Sequence, residues 1–147
     1  MRISQILRAK RLDVIAVPPD STIRAAVTLM KEQQVGALVV VDSHGRLLGV
    51  LSERDVIHGL ASQGADALHQ MVRMFMRTDS PMVTVHDTVQ SAMQMMTAKR
   101  VRHLPVVDGD RMIGVISIGD VVKSRLDEKT QENDVLQDIA RLRVVRD

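Results

Sequence analysis

Gly49-Val50-Leu51-Ser52-Glu53-Arg54-Asp55 and Gly114-Val115-Ile116-Ser117-Ile118-Gly119-Asp120 are two copies of one pattern, Gly-apolar-apolar-Ser-x-x-Asp, set 65 residues apart. Upstream, Thr22-Ile23-Arg24-Ala25-Ala26-Val27-Thr28-Leu29-Met30 recurs as Thr88-Val89-Gln90-Ser91-Ala92-Met93-Gln94-Met95-Met96. Val41-Asp42 recurs as Val107-Asp108, both at a spacing of 66 residues. The one-residue loss falls in a turn. Self-similarity at a fixed period settles the architecture before any single element is assigned.

Around these anchors each copy predicts the same elements. A short extended stretch comes first, Val14 to Val17 and Met82 to Val85. The helix that follows has apolar positions Ile23, Ala26, Val27 and Met30, or Val89, Ala92, Met93 and Met96. That spacing marks one face of an α-helix. Ser21 and Asp87 are placed to cap it. Ala37 to Val41 and Leu104 to Val107 are too short for helices and rich in β-branched residues, so they read as buried strands. The turns Asp42-Ser43-His44-Gly45 and Asp108-Gly109-Asp110 lead into second strands, Leu47 to Leu51 and Met112 to Ile116. Gly49 and Gly114 lie inside those strands, where glycine signals close approach by another group. A last helix starts at Ser52 or Ser117.

Each copy is therefore β-α-β-β-α, and the fold class is α+β. A unit of about 60 residues is marginal alone, so the two are expected to share a core in a pseudo-twofold module. The expected boundaries are 1–62 for the first repeat, 63–76 for a linker, 77–125 for the second repeat and 126–147 for a helical tail. Val135, Leu136, Ile139 and Leu142 form an apolar stripe on that tail, fit to cover the module or a second subunit.

Composition narrows the function. Twenty Lys and Arg face 18 Asp and Glu, and the net charge of +2 is no surface for coating polyanions. Phe75 is the only aromatic residue, so there is no platform for stacking single-stranded bases. There is no cysteine, and the five histidines show no ligand spacing. No apolar run approaches the ~20 residues of a membrane span, and the start is not a signal peptide. A cytoplasmic protein without nucleic-acid or membrane partners is the expectation.

The doubled Gly-apolar-apolar-Ser-x-x-Asp, together with Arg102-His103-Leu104-Pro105-Val106-Val107-Asp108, resembles the cystathionine β-synthase (CBS) domain. The resemblance covers residues 3 to 125 and takes in both repeats. It implies the CBS-pair fold, two clefts between the repeats and an adenosine ligand: AMP, ADP or ATP, NAD or S-adenosylmethionine. It also implies a homodimer and a regulatory role toward another protein, whose identity the sequence leaves unknown.

The candidate nucleotide-binding residues follow from that resemblance. Ser52-x-x-Asp55 and Ser117-x-x-Asp120 read either as capping boxes or as ribose sites, in which each carboxylate accepts hydrogen bonds from both ribose hydroxyls. The serines and the helix-start N–H groups then face phosphate. Arg54 is either an exposed helix cation or a bidentate phosphate ligand. Lys99 and Arg100 end a helix, where cations are favoured without any ligand. Arg102 and His103 open the strand before Leu-Pro-Val, where the family places basic residues on phosphates. Pro105 suggests a strand edge or an opening, with a backbone group that reads the adenine rim. Ala37, Val17 and Val83 offer aliphatic walls for the base, core packing being the alternative for Val17 and Val83. Since Arg54 corresponds to Gly119, the cleft with Asp55 is expected to favour more phosphate charge. The Asp120 cleft should lean on the adenosine, unless Arg102 or His103 reaches it.

Two readings remain open: a nucleotide sensor, or a scaffold with empty clefts whose work is dimerisation or partner binding. A catalytic role finds no nucleophile–base constellation, metal cluster or phosphate loop to rest on, so no enzyme activity and no catalytic cofactor are expected.

Overall fold

The computed structural model describes residues 1–10 and 15–129. The elements in chain order are α1 (Ile3–Lys10), β1 (Ala16–Val17), α2 (Ile23–Gln33), β2 (Ala37–Val41), β3 (Leu47–Ser52), α3 (Glu53–Gln63), β4 (Val83–Thr84), α4 (Val89–Lys99), β5 (His103–Asp108) and β6 (Arg111–Ser117). Two 3₁₀ segments, Gly64–His69 and Val72–Met74, lie between α3 and β4. Residues 118–129 are helical.

Two three-stranded sheets form, β1-β2-β3 and β4-β5-β6. In each, the short first strand runs parallel to the middle one and the last pairs antiparallel. The expected β-α-β-β-α order thus appears twice. Both hairpins shift register at the same place, Val40/Val41 and Val106/Val107. The hairpin tips meet: Leu47 N–H donates to the Asp110 carbonyl and Met112 N–H to that of Gly45, both at 3.4 Å. Within the first turn, the Arg46 backbone N–H is the main cause that holds the Asp42 carboxyl below its usual pKa. That contribution is present above the ordinary carboxylate range and is lost as pH falls through it.

The helix caps sit one residue later than Ser21 and Asp87. Thr22 and Thr88 are the N-caps, and their side chains accept from Ala25 N–H and Ser91 N–H. Both threonines are extended (ψ 154°), the geometry that lets a hydroxyl reach the third helical N–H. Asp87 instead turns back to accept from Thr84 N–H at 2.8 Å.

The core is not shared. Buried apolar side chains form two clusters, one on each sheet. Ile23, Ala26 and Met30 of α2 pack on Leu38, Val40 and Leu51. Val89, Ala92 and Met96 of α4 pack on Leu104, Val106 and Ile116. Met93 leaves that face and is 36% exposed.

Each cluster is closed by a segment from outside its own repeat. Ile3 and Ile6 of α1 are buried in the second cluster, with Leu7 against it. Val72 is buried in the first, with Phe75 and Met76 packed against it. Backbone bonds repeat the exchange. Ile3 N–H donates to the Asp87 carbonyl at 3.0 Å, and Val72 N–H to that of Ser21 at 2.7 Å. The two halves are therefore interlocked. A Cβ on Gly49 would sit 2.7 Å from the Arg77 carbonyl oxygen, and one on Gly114 would sit 2.8 Å from Leu7. The close approach signalled by these glycines is made by the exchanged segments.

Candidate functional site

The strand-to-helix passage from β3 into α3 builds the centre of the site. Ser52 caps α3 and a reciprocal capping box forms. The Asp55 Oδ2 accepts from Ser52 N–H at 2.8 Å and from the Ser52 hydroxyl at 2.9 Å, while Asp55 N–H donates to Ser52 Oγ at 3.3 Å. The first-turn N–H of Glu53 goes to the Gly36 carbonyl at 3.0 Å. Two early donors of α3 are thus spent within the protein. Positive charge in this region comes from side chains.

Those side chains converge on one cleft of about 260 Å³ between the repeats. The first repeat contributes Gly36, Ala37, Val50 and the Ser52–Asp55 turn. The second contributes Arg77 and Ser80 from the stretch before β4, and Arg100 to His103. Four arginines, Arg54, Arg77, Arg100 and Arg102, line the cleft beside two acidic residues, Glu53 and Asp55, and Arg77 is paired with Asp55. Such a cleft attracts anions, and planar guanidinium forks match phosphate oxygens in pairs.

Of the residues singled out in the sequence, Ala37, Ser52, Arg54, Asp55, Arg102 and His103 come together here. Arg102 and His103 thus line the cleft that holds Asp55. Ser117 and Asp120 do not line it. They form the matching turn, with Ser117 N–H to Asp120 Oδ2 at 2.8 Å and Asp120 N–H to Ser117 Oγ at 3.1 Å. Val17 and Val83 are 5% and 1% exposed, pack in the two cores and do not line this cleft. Pro105 is not on an edge strand, because β5 is the middle strand of its sheet. It is tolerated because β4 registers only against Val106 and Val107 and no β4 residue lies opposite Pro105.

The sequence reading missed Arg77. It stands at the very start of the expected second repeat, ahead of β4, and its Nε donates to Asp55 Oδ1 of the first repeat at 3.0 Å. A signal for it does exist. Ile3, Ile6, Leu7 and Arg8 recur as Val72, Phe75, Met76 and Arg77 at a spacing of 69 residues.

The family model of the CBS domain matches residues 3–62 and again 72–127. The chain belongs to the CBS-domain family. The CBS domain-containing protein YhcV of Bacillus subtilis (strain 168) is 32% identical over 117 residues, which cover 80% of this chain and 82% of that protein. The CBS-domain containing protein ATU1752 from Agrobacterium tumefaciens has a TM-score of 0.80 at 39% identity, covering 84% of this chain and 92% of its own. CBS domain protein PAE2072 from Pyrobaculum aerophilum, solved complexed with AMP, has a TM-score of 0.74 at 27% identity, covering 82% and 89%. Both family matches open on an exchanged segment, at Ile3 and at Val72. The unit of sequence in this CBS pair is thus not the unit of packing.

Arg100 in this CBS pair carries a backbone cost. It is the left-handed C-cap of α4 at φ 55°, as Gln34 is for α2 at φ 56°. Glycine takes that conformation freely. Arg100→Gly is expected to leave stability within ~1 kcal/mol of the parent, since relief of the left-handed backbone offsets the added chain entropy. Affinity of the cleft for pyrophosphate should nevertheless fall several-fold. Denaturant melts beside a pyrophosphate titration check this. An unchanged affinity would leave Arg100 as a helix-end cation only.

Proposed function

We propose that this CBS pair is a regulatory sensor that binds adenosine mononucleotides in the cleft between its repeats and catalyses nothing itself. The observation that carries this reading is the meeting of four arginines with one buried carboxylate in a single inter-repeat cleft. The arginines suit phosphate, and the carboxylate of Asp55 suits a ribose diol. Ala37 and Val50 leave an aliphatic surface for the base. AMP in the clearly related PAE2072 supports an adenine ligand here. Calorimetric titration with AMP, ADP, ATP, NAD and S-adenosylmethionine tests the reading. Heat with the mononucleotides, weakening as salt rises, is expected. No heat with any of the five would favour the scaffold reading.

We also infer a homodimer. The tail stripe of Val135, Leu136, Ile139 and Leu142 lies outside the described residues. Another apolar face is present on residues 118–129, where Ile118, Val122 and Leu126 follow one another at four-residue spacing and are 47%, 50% and 59% exposed. Ile57 on α3 is 61% exposed. Faces of this kind are covered in stable proteins. Val122→Asp is expected to halve the sedimenting mass from twice 16.3 kDa to once. A parent that sediments as a monomer would contradict the inference.

A further inference from the structure

Asp55 is more fully occupied than a vacant ribose site would be. Its side chain is only 9% exposed. An ionised carboxylate offers about four acceptor positions. Ser52 takes two of them on Oδ2, through its N–H and its hydroxyl, and Arg77 takes one on Oδ1. About one remains, whereas a ribose diol brings two donors. Both hydroxyls dock on Asp55 only if the Arg77 guanidinium leaves.

Arg77 is built to leave without unfolding anything. Its backbone is pinned to β3, with Arg77 N–H to the Val50 carbonyl and Val50 N–H to the Arg77 carbonyl, both at 2.9 Å. Its side chain is 51% exposed and lies in the same cleft as Arg54, Arg100 and Arg102. A guanidinium that gives up a buried carboxylate loses a charged partner, and that loss is large unless another anion replaces it. A nucleoside brings none. A nucleotide brings its phosphate.

We propose that Arg77 is the specificity-determining residue of the cleft: it stands in for the ribose hydroxyls on Asp55 and exchanges that carboxylate for a 5′-phosphate, so that the cleft accepts adenosine nucleotides and rejects adenosine. The proposal rests on the reading of the cleft as a nucleotide site. It differs from a plain phosphate-binding role in one respect, which is that removing Arg77 improves binding of a ligand that has no phosphate.

The test is calorimetric titration of the full chain and of Arg77→Gln and Arg77→Met with AMP, adenosine and 2′,3′-dideoxyadenosine. In the parent, AMP is expected to bind at least roughly tenfold more tightly than adenosine. In both variants AMP should weaken while adenosine tightens by roughly tenfold, and dideoxyadenosine, which lacks the diol, should not change. Independently of any variant, the Arg77 Nε–H resonance of the parent should shift on AMP and stay in place with saturating dideoxyadenosine. Parent binding of AMP with adenosine affinity unchanged or lowered in the variants overturns the proposal, as does an Arg77 resonance that ignores AMP. Failure of AMP to bind the parent at all overturns the nucleotide reading itself.

Discussion

Ile3→Ala is expected to destabilise the protein by about 2–5 kcal/mol, the cost of emptying a fully buried aliphatic site. Ile3 lies some 80 residues or more before the strands and helix it packs against. Yet it is 0% exposed, and it fills the cluster formed by Val83, Val89, Leu104 and Ile116. The damage should therefore appear in the second sheet, far along the sequence. Val72→Ala is the mirror experiment, because Val72 is 0% exposed in the cluster of the first sheet. Against a total stability of about 5–15 kcal/mol, either change is large. Urea melts with hydrogen exchange resolved by residue would read both. For Ile3→Ala, early loss of protection in β5 and β6 is expected. A loss below about 0.5 kcal/mol, the range of surface changes, would mean that the exchanged helix is not part of the core.

Asp55→Ala should weaken AMP binding by roughly 10- to 150-fold, the equivalent of about 1.5–3 kcal/mol for a hydrogen bond to a charged group. The same change removes half of a capping box and the partner of Arg77. A stability loss of about 0.5–2 kcal/mol is expected alongside, so thermal melts must accompany the titrations. Asp120→Ala disturbs the matching turn of the second repeat and is not expected to affect the cleft lined by Asp55. Unchanged AMP affinity in a folded Asp55→Ala protein would reduce the carboxylate to a helix cap.

The repeat, the sheets and the Ser-x-x-Asp turns were legible in the sequence because each is a local pattern that occurs twice at nearly constant spacing. The caps were misplaced by one residue because Ser21-Thr22 and Asp87-Thr88 each offer two good capping residues in succession, and only the backbone geometry decides between them. For Pro105 the edge alternative fails, since β5 is a middle strand, but an opening is present because β4 is only two residues long and stops short of it. The exchange of α1 and residues 72–76 was hidden for a different reason. Their apolar triplets recur at 69 residues, not at 65 or 66, so they read as a start and a linker. Arg77 was invisible for the same cause. Its partner Asp55 lies 22 residues away, and nothing local to either residue links them. Arg54, Arg102 and His103 were each weak candidates alone. Their meeting in one cleft is a tertiary fact that the pseudo-twofold arrangement creates.

Equilibrium dialysis of the purified protein against AMP tests the central claim most directly. With no Trp and no Tyr in the chain, adenine absorbance reads bound ligand almost without protein background. The expected result is saturable uptake approaching at least one AMP per chain, abolished or shifted to much higher AMP concentration by Asp55→Ala. Equal AMP on both sides of the membrane at every concentration would contradict the account and leave the cleft without a nucleotide.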